Sequence, residues 1–284
     1  MNGKHPGYNA GLYREDKMVK VIVIGVAGRM GKTICQTVLE SPGFELAGAT
    51  ERKGSEAIGQ DLGEIIGVKK LGISITDDLN QVAPQGDVLI DFTSPVATLD
   101  TLAIAIAHSK PMVIGTTGFS QEQLQTINST AQQISCLLSP NMSIGVNLLF
   151  ALLEKAAATL ADGYDIEIIE THHRLKVDAP SGTALKMAEI VCQTLGRQLG
   201  EVGVYGRKGQ VGQRGQQEIA IHAVRGGDIV GEHQVIFAGP GERIELIHRA
   251  HSRQNFAQGA LQAARWIINQ PPGRLYNMKD VLGF

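Results

Sequence analysis

Cysteine is scarce in this 284-residue sequence: Cys35, Cys136 and Cys192 stand far apart, odd in number and each among apolar neighbours. That usage excludes a disulfide scaffold and reads as buried, reduced thiols in a cytoplasmic protein. No cysteine pair has zinc-ligand spacing. No apolar run reaches the roughly 20 residues of a membrane-spanning helix. Residues 1–18 carry no hydrophobic stretch of a secretory signal and read as a flexible tail, with Met18 as an alternative start. An excess of one charge is missing too. A net charge of −2 gives no bulk attraction to nucleic acid or anionic lipid, so any acidic ligand must be held by local groups. Repeats and low-complexity tracts are absent. What remains, 43% hydrophobic and 19% charged residues, is the composition of a globular chain long enough for one large or two ordinary domains.

Glycine is plentiful, and much of it falls where strands are expected to end. Val19 to Gly25 is a β-branched run suited to a central parallel strand buried on both faces. It breaks into Gly25-Val26-Ala27-Gly28-Arg29-Met30-Gly31, followed by a helix, a second strand over 44–50 and then Glu51-Arg52. The glycine motif departs from GxGxxG, but the order strand, glycine turn, helix, strand, acid is that of a dinucleotide site. Glu51 suits the ribose hydroxyls of NADH; Arg52 and Arg29 suit the 2′-phosphate of NADPH, so both cofactors are admitted. Further strands end at Asp91, at Gly115-Thr116-Thr117 and at Ser139-Pro140-Asn141-Met142. Small and hydroxyl residues at the carboxyl ends of parallel strands suit a flat nicotinamide ring. Residues 53–80 read as an irregular excursion, and Ser94-Pro95 as the start of a helix.

The densest chemistry lies in Asp165 to Lys186. An alternating strand ends in His172, His173 and Arg174, with Lys176 just beyond; after Asp178-Ala-Pro180, Ser181-Gly182-Thr183 opens a helix. Proton donors and cations thus face a helix N-terminus, as in a site for a small anion undergoing proton transfer. Residues 144–160 are apolar almost all round and predict a buried helix joining two domains. Residues 200–217 predict a long mobile loop. Three extended runs, 218–224, 231–238 and 243–250, predict a mixed or antiparallel sheet, and a last amphipathic helix predicts a return to the first domain. His222, His233, His248 and His251 read as structural, the last two near the substrate, and their spacing matches no metal-ligand set.

With these motifs, above all Glu170 to Leu185 with Gly25 to Gly31, Asp91-Phe-Thr, Gly115-Thr-Thr-Gly118 and Gly226 to His233, the chain resembles the 4-hydroxy-tetrahydrodipicolinate reductase family, long called dihydrodipicolinate reductase. The resemblance runs from Val19 to the C-terminus. It implies an α/β fold: a Rossmann-like parallel-sheet domain (19–143 with 253–284) and an α+β substrate and oligomerisation domain with a mixed sheet (144–252), assembled as a homotetramer. It implies NADPH or NADH held by Gly25 to Met30, Glu51, Arg52, Gly115 to Thr117 and Ser139 to Met142. The position of Met142 is often aromatic in the family. His172 is then the proton donor or acceptor, Lys176 a second donor or anchor, and His173, Gly182 and Thr183 hold the carboxylates of a cyclic dicarboxylate. The competing expectations are another two-domain NAD(P) oxidoreductase or a nucleotide sensor without catalysis.

Overall fold

The computed structural model describes residues 18–284, so the expected tail, Met18 apart, lies outside the described residues. The chain divides into two compact units. One takes the described residues through Leu138 with Ala260–Tyr276; the other takes Ser139–Gly259 with Asn277–Phe284. The turn after Leu138 and the C-terminal segment therefore group with the second unit, where the Lys279 ammonium meets the Glu154 carboxylate at 2.7 Å.

The first unit begins β1 (Val19–Ile24), α1 (Arg29–Glu40) and β2 (Phe44–Thr50). Residues 53–80 are more regular than their composition suggests. They hold α2 (Leu62–Ile66) and the start of α3 (Leu79–Val82), with bridges from Thr50 to Thr76 and from Asp61 to Ser74. Then come β3 (Val88–Asp91), α4 (Pro95–Ala107), β4 (Met112–Ile114), α5 (Gln121–Thr130) and β5 (Cys136–Leu138). Pro95 starts α4 as expected, although the Ser94 side chain makes no cap bond; Ser120 and Gln123 close a full capping box on α5.

The second unit contributes α6 (Ile144–Leu160), β6 (Asp165–His172), α7 (Gly182–Thr194), α8 (Leu199–Val202), β7 (Gly203–Tyr205), β8 (Ile219–Arg225), β9 (Gly231–Gly239) and β10 (Glu242–Ala250). The chain continues through α9 (Gln254–Ile267), β11 (Leu275–Tyr276) and α10 (Met278–Leu282). Within the stretch expected to be a loop, residues 200–217, lie most of α8 and all of β7.

The first sheet is parallel, in the order β11-β5-β4-β3-β1-β2; the second is mixed, in the order β10-β9-β6-β8-β7, with β9 antiparallel to both neighbours. Val21 to Val23 are fully buried because helices cover both faces of a parallel sheet. In the second unit α6 and α7 pack Leu149, Leu153, Met187 and Val191 against Ile166, Ile168, Ile221 and Phe237. α6 is not buried all round, however: Ile144, Leu148 and Leu152, at helical spacing, stay about 40–50% exposed. Cys35, Cys136 and Cys192 are free and buried, and burial pushes the Cys35 and Cys136 thiols up to about 12.

Candidate active site

In the first unit the glycine turn is held from two sides. Gly25, at φ +73°, and Val26 donate their N–H groups to Thr50 O at 2.8 and 3.2 Å. Glu51 accepts the Ala27 N–H on Oε2 (2.9 Å) and the Arg52 N–H on Oε1 (3.0 Å), which leaves a lone pair on each oxygen for ligand hydroxyls. α1 starts at Gly28 with no side-chain cap, so its first N–H groups are open to a pyrophosphate. A Cβ on Gly31 would lie 2.3 Å from Gly25 O, so only glycine lets helix and turn approach this closely. Arg29 and Arg52 are exposed beside the turn.

Beyond β4, a Cβ on Gly115 would lie 2.1 Å from the Phe92 ring. The buried Thr116 hydroxyl donates to Asp91 Oδ1 (3.2 Å) and accepts the Thr93 N–H and the Thr98 hydroxyl (3.0 Å each). Its side chain is therefore part of the loop's foundation, and only Thr117 offers an exposed hydroxyl. Asp91 is fully buried; burial pushes its pKa up against the bonds from Thr93 and Thr116, and Oδ2 has no partner.

The turn from Ser139 to Met142 belongs to the second unit. Ser139 donates its hydroxyl to Asn141 O (2.8 Å), Asn141 Oδ1 accepts the Ser143 N–H (2.9 Å), and Asn141 Nδ2 donates to Thr183 Oγ1 (3.1 Å). Two positions expected to serve different ligands are thus joined. Pro140 is exposed and Asn141 half-buried, whereas Met142 as a whole is 1% exposed, its carbonyl packed against Gly259, so it offers no surface to a ligand.

β6 alternates strictly, turning Ile166, Ile168, Glu170 and His172 to the buried face. His172 Nδ1 lies 2.6 Å from Glu170 Oε2. Arg225 on β8 forks onto Glu170, Nη1 to Oε2 (2.8 Å) and Nη2 to Oε1 (2.7 Å), and Oε1 also accepts the Ser181 N–H (3.0 Å). Burial lowers the His172 pKa, and Glu170 only partly restores it. His233 packs edge-on to the His172 ring with centroids 5.2 Å apart, its Nε2 3.1 Å from Ser181 Oγ; burial pushes its pKa down to about 3.

Ser181 caps α7 through its hydroxyl, which accepts the Ala184 N–H at 3.2 Å, and the next residues, Gly182 and Thr183, are exposed and half-buried. Lys176 is paired with Asp178 at 2.8 Å, and the Ala179–Pro180 peptide is cis. His173 sits half-buried with Nδ1 unpartnered. His222 lies away from this cluster, 2.7 Å from Glu167, which Arg207 and Arg214 also hold; these partners outweigh burial and keep Glu167 at about 2. Sequence reasoning gave Glu170 and Arg225 no role of their own and read His233 as structural. Glu170 was legible as the residue two before His172 on one strand face; Arg225 and His233 come from neighbouring strands, and no local pattern ties them to His172.

A family model described as "Dihydrodipicolinate reductase, N-terminus" matches residues 19–142, and one described as "Dihydrodipicolinate reductase, C-terminus" matches residues 145–282. The chain belongs to the dihydrodipicolinate reductase family. It is accordingly an oxidoreductase dependent on a nicotinamide nucleotide, of the diaminopimelate route to lysine. The 4-hydroxy-tetrahydrodipicolinate reductase of Syntrophus aciditrophicus (strain SB) is 55% identical, covering 94% of this chain and 99% of the relative. That of Syntrophobacter fumaroxidans (strain DSM 10017 / MPOB) is 53% identical over the same shares. The solved dipicolinate-bound dihydrodipicolinate reductase of Paenisporosarcina sp. TG-14 is 27% identical with a TM-score of 0.71, covering 92% of this chain and 97% of that one. Among the described residues no helix is long and apolar enough to cross a membrane.

Proposed function

We propose that this reductase converts 4-hydroxy-tetrahydrodipicolinate, by way of dihydrodipicolinate, to tetrahydrodipicolinate, with the proton delivered by His172. The observation that carries the reading is one strand–loop–helix segment. On it a histidine bound to a buried carboxylate stands next to a capped helix start bearing Gly182 and Thr183. The turn from Gly25 to Met30, braced by Glu51, fits a pyrophosphate and ribose; in the same unit Gly115, without a side chain, and the exposed Thr117 hydroxyl fit the edge of a nicotinamide ring. Bound there, NADPH or NADH supplies the hydride.

Negative charge builds on the conjugated ring until His172 gives it a proton from Nε2, a step worth about 10²–10⁴-fold in rate. The N–H groups of Gly182 and Thr183, with Lys176 and His173, hold the two carboxylates, helped by the positive end of α7. Lys176 reaches the substrate by exchanging its Asp178 partner for a carboxylate of the ligand. Ile169, Ile236, Val224 and Ile247 lie on the face of the second sheet opposite α6 and α7, part-exposed or exposed. They support assembly as a homotetramer through that face, which sedimentation equilibrium tests. The chemistry is tested with pyridine-2,6-dicarboxylate, expected to compete with substrate. His172→Gln is expected to lose turnover at least about 100-fold while keeping nucleotide affinity. Absence of competition or unchanged turnover overturns the corresponding part.

A further inference from the structure

A carboxylate with no access to water is stable as an anion only if fixed donors replace its hydration. Glu170 is 0% exposed, yet Arg225, His172 and the Ser181 N–H outweigh the effect of burial and hold its pKa below the ordinary carboxylate value. The Arg225 fork engages both oxygens, the geometry in which guanidinium and carboxylate bind most strongly. An ionised carboxylate can only accept, so the hydrogen in the 2.6 Å contact belongs to His172 Nδ1. Nε2 is then the atom that gains and loses a proton. It has no protein partner among the described residues, and a Cβ on Gly231 would stand 3.0 Å from it.

The same pair reaches the rest of the segment. Glu170 Oε1 holds the N–H of Ser181, the cap of α7, and Arg225 Nη2 also donates to Asp178 O at 2.7 Å, in the loop that carries Lys176. We propose that Glu170, clamped by Arg225, is a positioning residue of this reductase. It keeps His172 in the Nδ1–H form with Nε2 presented beside Gly231, and it keeps the start of α7 in register with that ring. The inference rests on His172 being the proton donor.

The groups around His172 give the assignment a sign. Glu170 on the same strand favours the imidazolium; Arg225 from β8, Lys176 from the following loop and His233 from β9 do not. His233 is held neutral by burial, so it does not compete for the proton at working pH. Removing the charge of Glu170 must therefore make His172 harder to protonate.

The test is Glu170→Gln in the full-length protein, followed by ¹⁵N NMR of the labelled histidines and by kinetics. The wild-type protein is expected to show neutral His172 as the Nδ1–H tautomer. In the variant the His172 midpoint is expected to fall by about 1–3 pH units, the range for losing an adjacent opposite charge. The loss of kcat with rising pH is expected to move down with it. At pH 7 kcat is expected to fall about 10- to 100-fold, within what a positioned donor supplies. Glu170→Gln placed on His172→Gln is expected to cost nothing further in kcat, because a residue that positions the proton donor has no effect on that step once the donor is gone; what remains of its hold on α7 is expected in KM. An unmoved midpoint, or kcat losses that multiply in the double variant, overturns the proposal. A variant that does not fold leaves the wild-type tautomer to decide, and an Nε2–H form there overturns it equally. Full turnover in His172→Gln alone overturns the proton-donor reading, while the NMR midpoint still decides the pairing.

Discussion

Thr116 and Thr117 are chain neighbours with opposite roles. Thr116 makes three hydrogen bonds under its loop, to Thr93, Thr98 and Asp91, whereas Thr117 is exposed. Thr116→Val takes the acceptor of the buried Thr98 hydroxyl and one donor from Asp91, while the Thr93 N–H keeps Asp91 Oδ1 at 2.8 Å; it is expected to cost about 1–3 kcal/mol in urea unfolding and to weaken nucleotide binding. Thr117→Val is expected to leave stability unchanged and to alter affinity only. Glu51 shows the same division within one side chain: its oxygens brace the Ala27 and Arg52 N–H groups while retaining lone pairs for a ribose. The Arg52 side chain is exposed and free to meet a 2′-phosphate. Arg52→Ala is accordingly expected to raise the Kd for NADPH by about tenfold or more, in line with about 1.5–3 kcal/mol for a hydrogen bond to a charged group, and that for NADH much less. Equal losses in a fluorescence titration would remove Arg52 from the 2′-phosphate site.

Elements place these atoms through period and close approach. On β6 the two-residue period puts Glu170 and His172 side by side on the buried face, while His173 turns elsewhere. α1 can approach the end of β1 only because position 31 lacks a side chain; the nearest atoms to an added Cβ are the carbonyl of Gly25 and Val26 Cα, backbone that cannot swing away. Gly31→Ala is expected to destabilise the first unit by about 1–3 kcal/mol, and to weaken nucleotide binding while pyridine-2,6-dicarboxylate affinity stays as it was. Isothermal titration with each ligand separates the two effects. Undiminished nucleotide affinity would show that the turn does not depend on this contact.

For the molecule as a whole the consequence is a dependence of stability on pH. His233 is neutral in the fold, with its pKa pushed by burial from 6.5 to about 3, so the unfolded chain binds a proton that the folded chain refuses between those values. Stability is therefore complete above the unfolded pKa and falls as pH drops through it. This one residue is expected to remove about 2 kcal/mol between pH 7 and pH 5. Glu167, held at about 2 by Arg207, His222 and Arg214 against the effect of burial, extends the loss below the ordinary carboxylate range, with the same sign. Urea unfolding at the two pH values checks the first part, and His233→Gln is expected to flatten that slope. An unchanged slope would place the acid sensitivity elsewhere.

Much of this protein is local in origin and was legible in its sequence. The β-branched run at Val21 to Ile24, the glycine turn, the opening of α7 at Ser181 and the alternation of β6 depend on neighbours a few residues away. Sequence reasoning placed each of them where the structure has it, whereas the Ser94 side chain does not cap α4. α6 was only half legible: its limits were clear, but an apolar helix does not say which side lacks a cover, and Leu148 and Leu152 are exposed. The tertiary structure alone decided which polar atoms are already satisfied. Thr116 and Met142 turned inward, Asn141 joined Thr183, and Arg225 and His233, each more than fifty positions along the chain, arrived beside Glu170 and His172. The physical reason is burial. Strand pairing brings distant residues into a space without water, where every charge and proton must be matched by whichever neighbours the fold supplies.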